Sequence, residues 1–356
     1  MLTSFKEIDH PIYLFHEHIY YIFKNIFHYD LEEYDEEKLV HPDFRTIINA
    51  SKVRLLNPLK EIVKIYHKLS YGEKITVQEA LVQNNCISVF DNLSHNLITY
   101  EQLHSSISSK LKKYFEDLWD DYPQTVIMEN EWNTVKHHYD LLTDETNCDF
   151  IICPFCGIYP FNPSEGKYRE EYDHIIAKAT YPFVSINFKL LFPCCQYCNK
   201  QEKRSKELLY NASSARRLSF YPYDSNITLD RLSINVSLNE AYNNQSLETL
   251  LKSIDWEFEI LRNGVVDIRD ESWDEVYGIK RRFSENIKRL EAEWFRELIR
   301  IFKRNAKSFA DFLDETIEEL KYQIPIAPMG IIKYIYFNFI FNIPDIENRL
   351  GRVVIP

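Results

Sequence analysis

A chain of 356 residues is long enough for two or three structural units with substantial cores. Its composition, 45% hydrophobic and 27% charged, excludes a disordered chain, and 7 glycines against 15% aromatics favour packed helices over loop-rich β architecture. The formal net charge of −12 excludes a protein that coats a polyanion with its whole surface, so any grip on nucleic acid must be local or supplied by a partner.

The opening MLTSFKEIDHPIY lacks the basic-then-apolar run of a secretion signal. PIYLFHEHIYYIFKNIF then repeats apolar residues at three- and four-residue intervals and starts with a proline suited to a first helical turn, which predicts a helix. The acidic DLEEYDEE reads as a solvated connection, and further helices are expected around Leu56–Leu69, Leu93–Trp119 and Trp132–Leu142. Residues 1–147 thus form an expected helical domain. Its histidines, among them His10, His16, His18, His28, His137 and His138, are interspersed with tyrosines and show no convergent carboxylates, so they read as ordinary helix-face residues.

Between 148 and 209 the character changes. Six of the seven cysteines fall between Cys148 and Cys198, and an odd total bunched in one region argues for metal ligation in the cytoplasm over a secreted disulfide framework. Cys153-Pro-Phe-Cys156 and Cys195-Gln-Tyr-Cys198 are two knuckles. Two intervening residues let one tight turn aim both sulfurs at a single ion, and two knuckles complete the closed four-thiolate site of structural zinc. Gly157 supports the first turn. Cys86, Cys148 and Cys194 have no partner at this spacing. Between the knuckles, Glu171 to Ile176 has strand character, which points the adjacent Asp173 and His174 to opposite faces. The second knuckle runs into Asn199-Lys200-Gln201-Glu202-Lys203-Arg204, a basic run of good helix formers. Cys148 to Lys206 holds 8 Lys/Arg and 6 Asp/Glu, mildly basic within an acidic chain.

In residues 210–356, FYPYDSNITLDRLSINVSL and DWEFEILRNGVVDIR alternate apolar and polar residues and predict strands with a hairpin at Asn263-Gly264. One long amphipathic helix is expected from about Trp273 to Lys303 and another from about Phe309 to Tyr322. The longest apolar stretch, MGIIKYIYFNFIFNI, is interrupted by lysine and asparagine and is too short to span a bilayer, so no membrane association is expected. It is either buried in the chain or partly docked on another protein. The expected fold is α+β and mainly helical: a helical N-terminal domain, a central zinc-bound module and C-terminal strands followed by long helices.

CPFCG, YDHIIAK and PCCQYCNKQEK together resemble the HNH endonuclease family, between Cys153 and Lys206. The resemblance implies a ββα-metal module in which Asp173 and Asn199 hold one Mg²⁺ or Mn²⁺ and His174 takes a proton from the water that attacks a phosphodiester. Lys200, Lys203 and Arg204 would then face backbone phosphates. The family's middle asparagine falls at Leu190 here, with Asn187 three residues earlier as its candidate substitute, and Ala177 stands where a proline often follows the Asp-His pair. The stretch AKATYPFVSINFKLLFPCC is similar to HNH subunits that accompany SMC-like ATPases in anti-phage systems such as Septu, which implies DNA as substrate, antiviral defence and an ATPase partner. Leu190 and the acidic balance favour the alternative, a catalytically weak or inactive zinc-stabilised nucleic-acid-binding or scaffold protein.

Overall fold

The computed structural model describes residues 1–120, 125–144, 151–161, 170–236, 245–305 and 307–353. Cys148 lies outside the described residues. Helices dominate, with two small antiparallel sheets.

The N-terminal part is helical as its periodicity dictates. Tyr13–Tyr29 buries Phe15, Ile19, Ile22, Phe23 and Ile26 along one stripe. Asn57–His67, Ser105–Asp120 and Val135–Thr143 match expected segments, while Val126–Trp132 is a separate short helix. The helix Tyr71–Asn84 was not expected. Its signal is Ser70-x-x-Glu73, a reciprocal capping box at its start. The helix expected from Leu93 begins only at Ser105. Upstream, the buried Asn84 amide donates to the Ile98 carbonyl (2.9 Å) and accepts from the Ile98 N–H (2.9 Å). These bonds hold the segment extended, and a 3₁₀ turn at Tyr100–Gln102 follows. The acidic run includes a four-residue helix, Glu36–Leu39, capped by the Asp35 carboxylate.

The centre holds strands β1 (Tyr172–His174) and β2 (Leu191–Pro193), antiparallel, with Asp173 opposite Phe192 and His174 opposite Leu191. The chain passes from β2 into a short, wide helix of π type, Tyr197–Lys203.

C-terminally, β3 (Leu232–Val236) pairs with β4 (Phe258–Arg262). Asn263 and Gly264 both adopt positive φ, 51° and 75°, as an Asn-Gly turn requires, and Arg262 bridges Val265. The expected return strand stops there, because Asp267 caps the helix Ile268–Tyr277 with its carboxylate on the Arg269 N–H. The sheet partner of β4 is therefore β3. The single long helix expected from Trp273 is broken at Gly278, where φ is +61°, and resumes as Ile279–Arg304.

The helix Gly330–Phe341 packs against both Ile279–Arg304 and Phe309–Gln323, and its Ile331, Ile332, Ile335, Tyr336, Phe337, Phe339 and Ile340 are buried. Most of this apolar stretch is thus buried inside the chain. One hydrophobic core among the described residues draws on the N-terminal, central and C-terminal segments alike. Among the described residues no helix is long and apolar enough to cross a membrane.

Candidate functional site

Cys153, Cys156, Cys195 and Cys198 converge, with sulfurs all within 4.8 Å of one another and all four residues buried. Among the described residues they are the only group of three or more His, Cys, Asp or Glu side chains placed to hold a metal ion. Tight turns aim the sulfurs: the Cys153 carbonyl accepts the N–H groups of Cys156 (3.2 Å) and Gly157 (2.8 Å), and Gly157 turns the chain at φ +65°. A side chain at Gly157 would strike Leu2 Cδ1 at 2.4 Å, so the turn is closely covered.

The donor set fits a soft divalent ion such as zinc. Four sulfurs at about 2.3 Å from a tetrahedral centre are about 3.8 Å apart, and Cys156 and Cys195 are separated by 3.9 Å. Electrostatics point the same way. Burial and the neighbouring sulfurs push the Cys153 thiol well up, while Cys198, against the effect of burial, is drawn well down by the thiols that donate to it. Such a cluster carries one negative charge readily and needs a cation to carry four. A fifth buried thiol, Cys194, lies outside the set, and burial pushes it well up.

The break at Gly278 brings two residues of the C-terminal part onto this centre. Arg282 is fully buried. Its Nη1 donates to Cys198 Sγ (3.2 Å) and to the Tyr277 carbonyl (3.2 Å), and its guanidinium lies 4.6 Å from the Tyr197 ring and 5.7 Å from the Tyr159 ring. Burial works against its charge, but Cys198 and Cys156 outweigh that and hold the guanidinium above its ordinary range. Trp273 Nε1 donates to the Phe155 carbonyl inside the first knuckle (3.0 Å).

Asp173 projects from β1 into a closed site. One carboxylate oxygen accepts from Tyr277 Oη (3.0 Å), and the other accepts from Lys203 Nζ, which also donates to the His174 carbonyl (2.7 Å). The Asp173 and Lys203 side chains are each only 5% exposed. Burial and the Asp173 carboxylate push the Tyr277 phenol well up, so it stays protonated as a donor. Lys203, expected to face phosphate, is thus enclosed. Hard oxygen donors suit Mg²⁺ or Mn²⁺, but both Asp173 oxygens are engaged here and an ammonium holds the adjoining position. In this conformation the residues do not fit a divalent ion without displacing Lys203.

His174 faces the other way. Its Nε2 donates to the Ser185 carbonyl (3.1 Å), which leaves Nδ1 as the acceptor, and its ring stands edge-on to Trp119 with centroids 4.6 Å apart. Ser185 Oγ donates to the Phe115 carbonyl (2.7 Å) and pins that loop. Burial lowers the His174 pKa to about 3, which keeps the imidazole neutral. Lys178, 27% exposed, lies over the Trp119 ring and pairs with Asp120 (2.8 Å). It is a cation on the His174 side that the motif alone does not reveal.

Asn199 sits in the π-type helix, half-exposed, and among the described residues no hydrogen bond joins it to Asp173. Lys203, four residues on, is what that helix offers Asp173. Asn187 is buried and caps the 3₁₀ turn Phe188–Leu190, accepting from the Lys189 N–H (3.1 Å) and donating to Asn85 (3.0 Å). Its bonds shape the loop into β2 and do not reach His174. Lys200 pairs with Glu171 at the surface (2.7 Å), and Arg204 is exposed where the helix ends. Tyr277, Arg282 and Trp119 were missed because no local pattern marks them. Gly278, a rare glycine inside a helical periodicity, was the readable hint of a break. No protein-family model, curated protein or solved structure matches the chain.

Proposed function

We propose that this chain is a phosphodiesterase of the HNH kind, acting on nucleic acid and on DNA in the first instance. The observation that carries the reading is the placement of Asp173 and His174: consecutive on β1, they face opposite sides of a hairpin that feeds directly into a four-cysteine centre and a helix bearing Asn199. The Nε2 anchor leaves Nδ1 of the neutral imidazole as the acceptor for a proton from an attacking water, a base that burial in this conformation weakens. Trp119 and the Ser185 carbonyl fix the plane of that ring, and Lys178 lies near enough to steady an approaching phosphate. The cysteine centre braces the hairpin and is closed to substrate. Asp173 and Asn199 offer the hard oxygens that Mg²⁺ or Mn²⁺ would use once Lys203 withdraws.

The buried Asp173–Lys203 pair also favours a second reading, a zinc-braced module that binds without cutting. Supercoiled plasmid incubated with Mg²⁺ or Mn²⁺, with and without a chelator, separates the two. Metal-dependent nicking that His174→Ala abolishes supports the enzyme. Tight binding with no nicking by the wild-type chain supports the rival. A net charge of −12 supports the further reading that a partner, an ATPase in an anti-phage system, brings the polyanion to the site. Co-expression with the product of an adjacent ATPase gene tests it, and the absence of any stable complex would count against it.

A further inference from the structure

We infer that Arg282 is the resident counter-charge of the cysteine centre, and that it makes metal retention and the seating of the Ile279–Arg304 helix mutually dependent. This rests on the cysteine geometry alone and not on the nuclease reading.

Arg282 is 1% exposed, yet among the described residues no carboxylate pairs with it, and its Nη2 is buried without a hydrogen-bond partner. A guanidinium removed from water needs an anion. The group it touches is Cys198 Sγ, at 3.2 Å. Four thiolates around one divalent ion carry a formal charge of about −2, and one guanidinium halves it at contact distance. Two tyrosines complete the seat, Tyr159 beyond the first knuckle and Tyr197 inside the second, so the cation is gripped by both halves of the metal loop. Gly278 sets the angle. Its left-handed backbone starts a new helix whose first turn delivers Arg282, and a Cβ there would lie 2.8 Å from the Arg281 guanidinium and 2.9 Å from the Glu202 carboxylate.

Two consequences follow by linkage, because binding coupled in one direction is coupled in the other. With the metal bound, the thiolates hold Arg282 and the helix is seated. With the metal gone, the centre keeps only about one of its negative charges, the guanidinium is held less tightly, and the first turns of the helix should loosen. Conversely, without Arg282 the thiolate centre keeps its full repulsion and releases metal more easily.

The test uses the full-length, zinc-loaded chain. In competition with a coloured chelator, Arg282→Met should weaken zinc retention by about 10- to 100-fold, the range seen when outer-shell partners of metal ligands are removed. Arg282→Lys, which keeps the charge but not the planar stacking, should fall between. Wild-type retention by a folded Arg282→Met chain would overturn the inference. Should that variant fail to fold, the wild-type chain decides. After chelation, hydrogen exchange should accelerate together at residues 195–203 and 279–287. Exchange that opens the knuckles while 279–287 stay protected would equally overturn it.

Discussion

Lys203→Met is the substitution that bears most directly on the candidate site. The Asp173–Lys203 pair is enclosed, each side chain 5% exposed, and the methionine would leave the carboxylate with a single donor, Tyr277 Oη. Removing one member of a buried pair strands a charge, at a cost of about 3–5 kcal/mol. The His174 carbonyl loses its 2.7 Å contact as well, so the upper half of that range is expected. Urea unfolding of the zinc-saturated protein measures it. Lys200→Met is the internal control, because Lys200 and Glu171 are 47% and 62% exposed and such surface pairs contribute little. Adding Asp173→Asn to Lys203→Met removes the stranded charge and should restore about 2 kcal/mol, which a double-mutant cycle reads as coupling. Mg²⁺ or Mn²⁺ should also stabilise Lys203→Met more than wild type, by about 2.7 kcal/mol at a hundred times the dissociation constant. A cost under about 1 kcal/mol, no larger than that of Lys200→Met, would refute the buried-pair argument. Equal divalent effects on both proteins would refute the idea that Lys203 holds the cation's place.

Further outcomes follow from the same geometry. His174→Ala should abolish nicking while zinc content, read by metal analysis, stays at the wild-type level. Cys195→Ser should reduce zinc content and destabilise the centre, since metal binding free energy is folding free energy here. Gly278→Ala should cost about 1–2 kcal/mol in unfolding experiments for its left-handed backbone alone, before any rearrangement around Arg281 and Glu202. Stability should fall on acidification. Burial lowers His10 and His16 to about 4 and His138 and His174 to about 3, so the unfolded chain binds protons that the folded chain refuses. Their contribution is complete above about pH 6.5 and is lost as pH falls toward 3–4. A urea midpoint unchanged between pH 7.5 and 5 would contradict this.

The parts of the molecule legible in sequence are those set by short-range rules. Two residues between thiols fix a knuckle wherever it occurs, and the four cysteines converge as that spacing predicts. The stripe on Tyr13–Tyr29 and the adjacent, oppositely facing Asp173 and His174 also follow from local periodicity. What was illegible lies across long separations. Asp173 meets Lys203 and Tyr277, 30 and 104 positions away, and Cys198 meets Arg282 across 84. No pattern in a single segment encodes such pairings. Lys203 read as a surface cation because its neighbours are polar, and the wide π-type turn that carries it inward has no composition signal. The strand order failed likewise: Asn263-Gly264 specifies a turn but not whether the residues after it continue the sheet.

The dependence of the central segment on distant residues bears on how it can be transplanted. Phe5 packs its ring on Phe155 and Phe192, Leu2 covers the Gly157 turn, and Trp273, Tyr277 and Arg282 bond to Phe155, Asp173 and Cys198. Residues 148–209 expressed alone would bare sulfur, aromatic and carboxylate groups that the full chain shields. A graft onto another scaffold would need to carry the Trp273–Arg282 bend with it, Gly278 included, as a second strand of instructions that the motif itself does not contain.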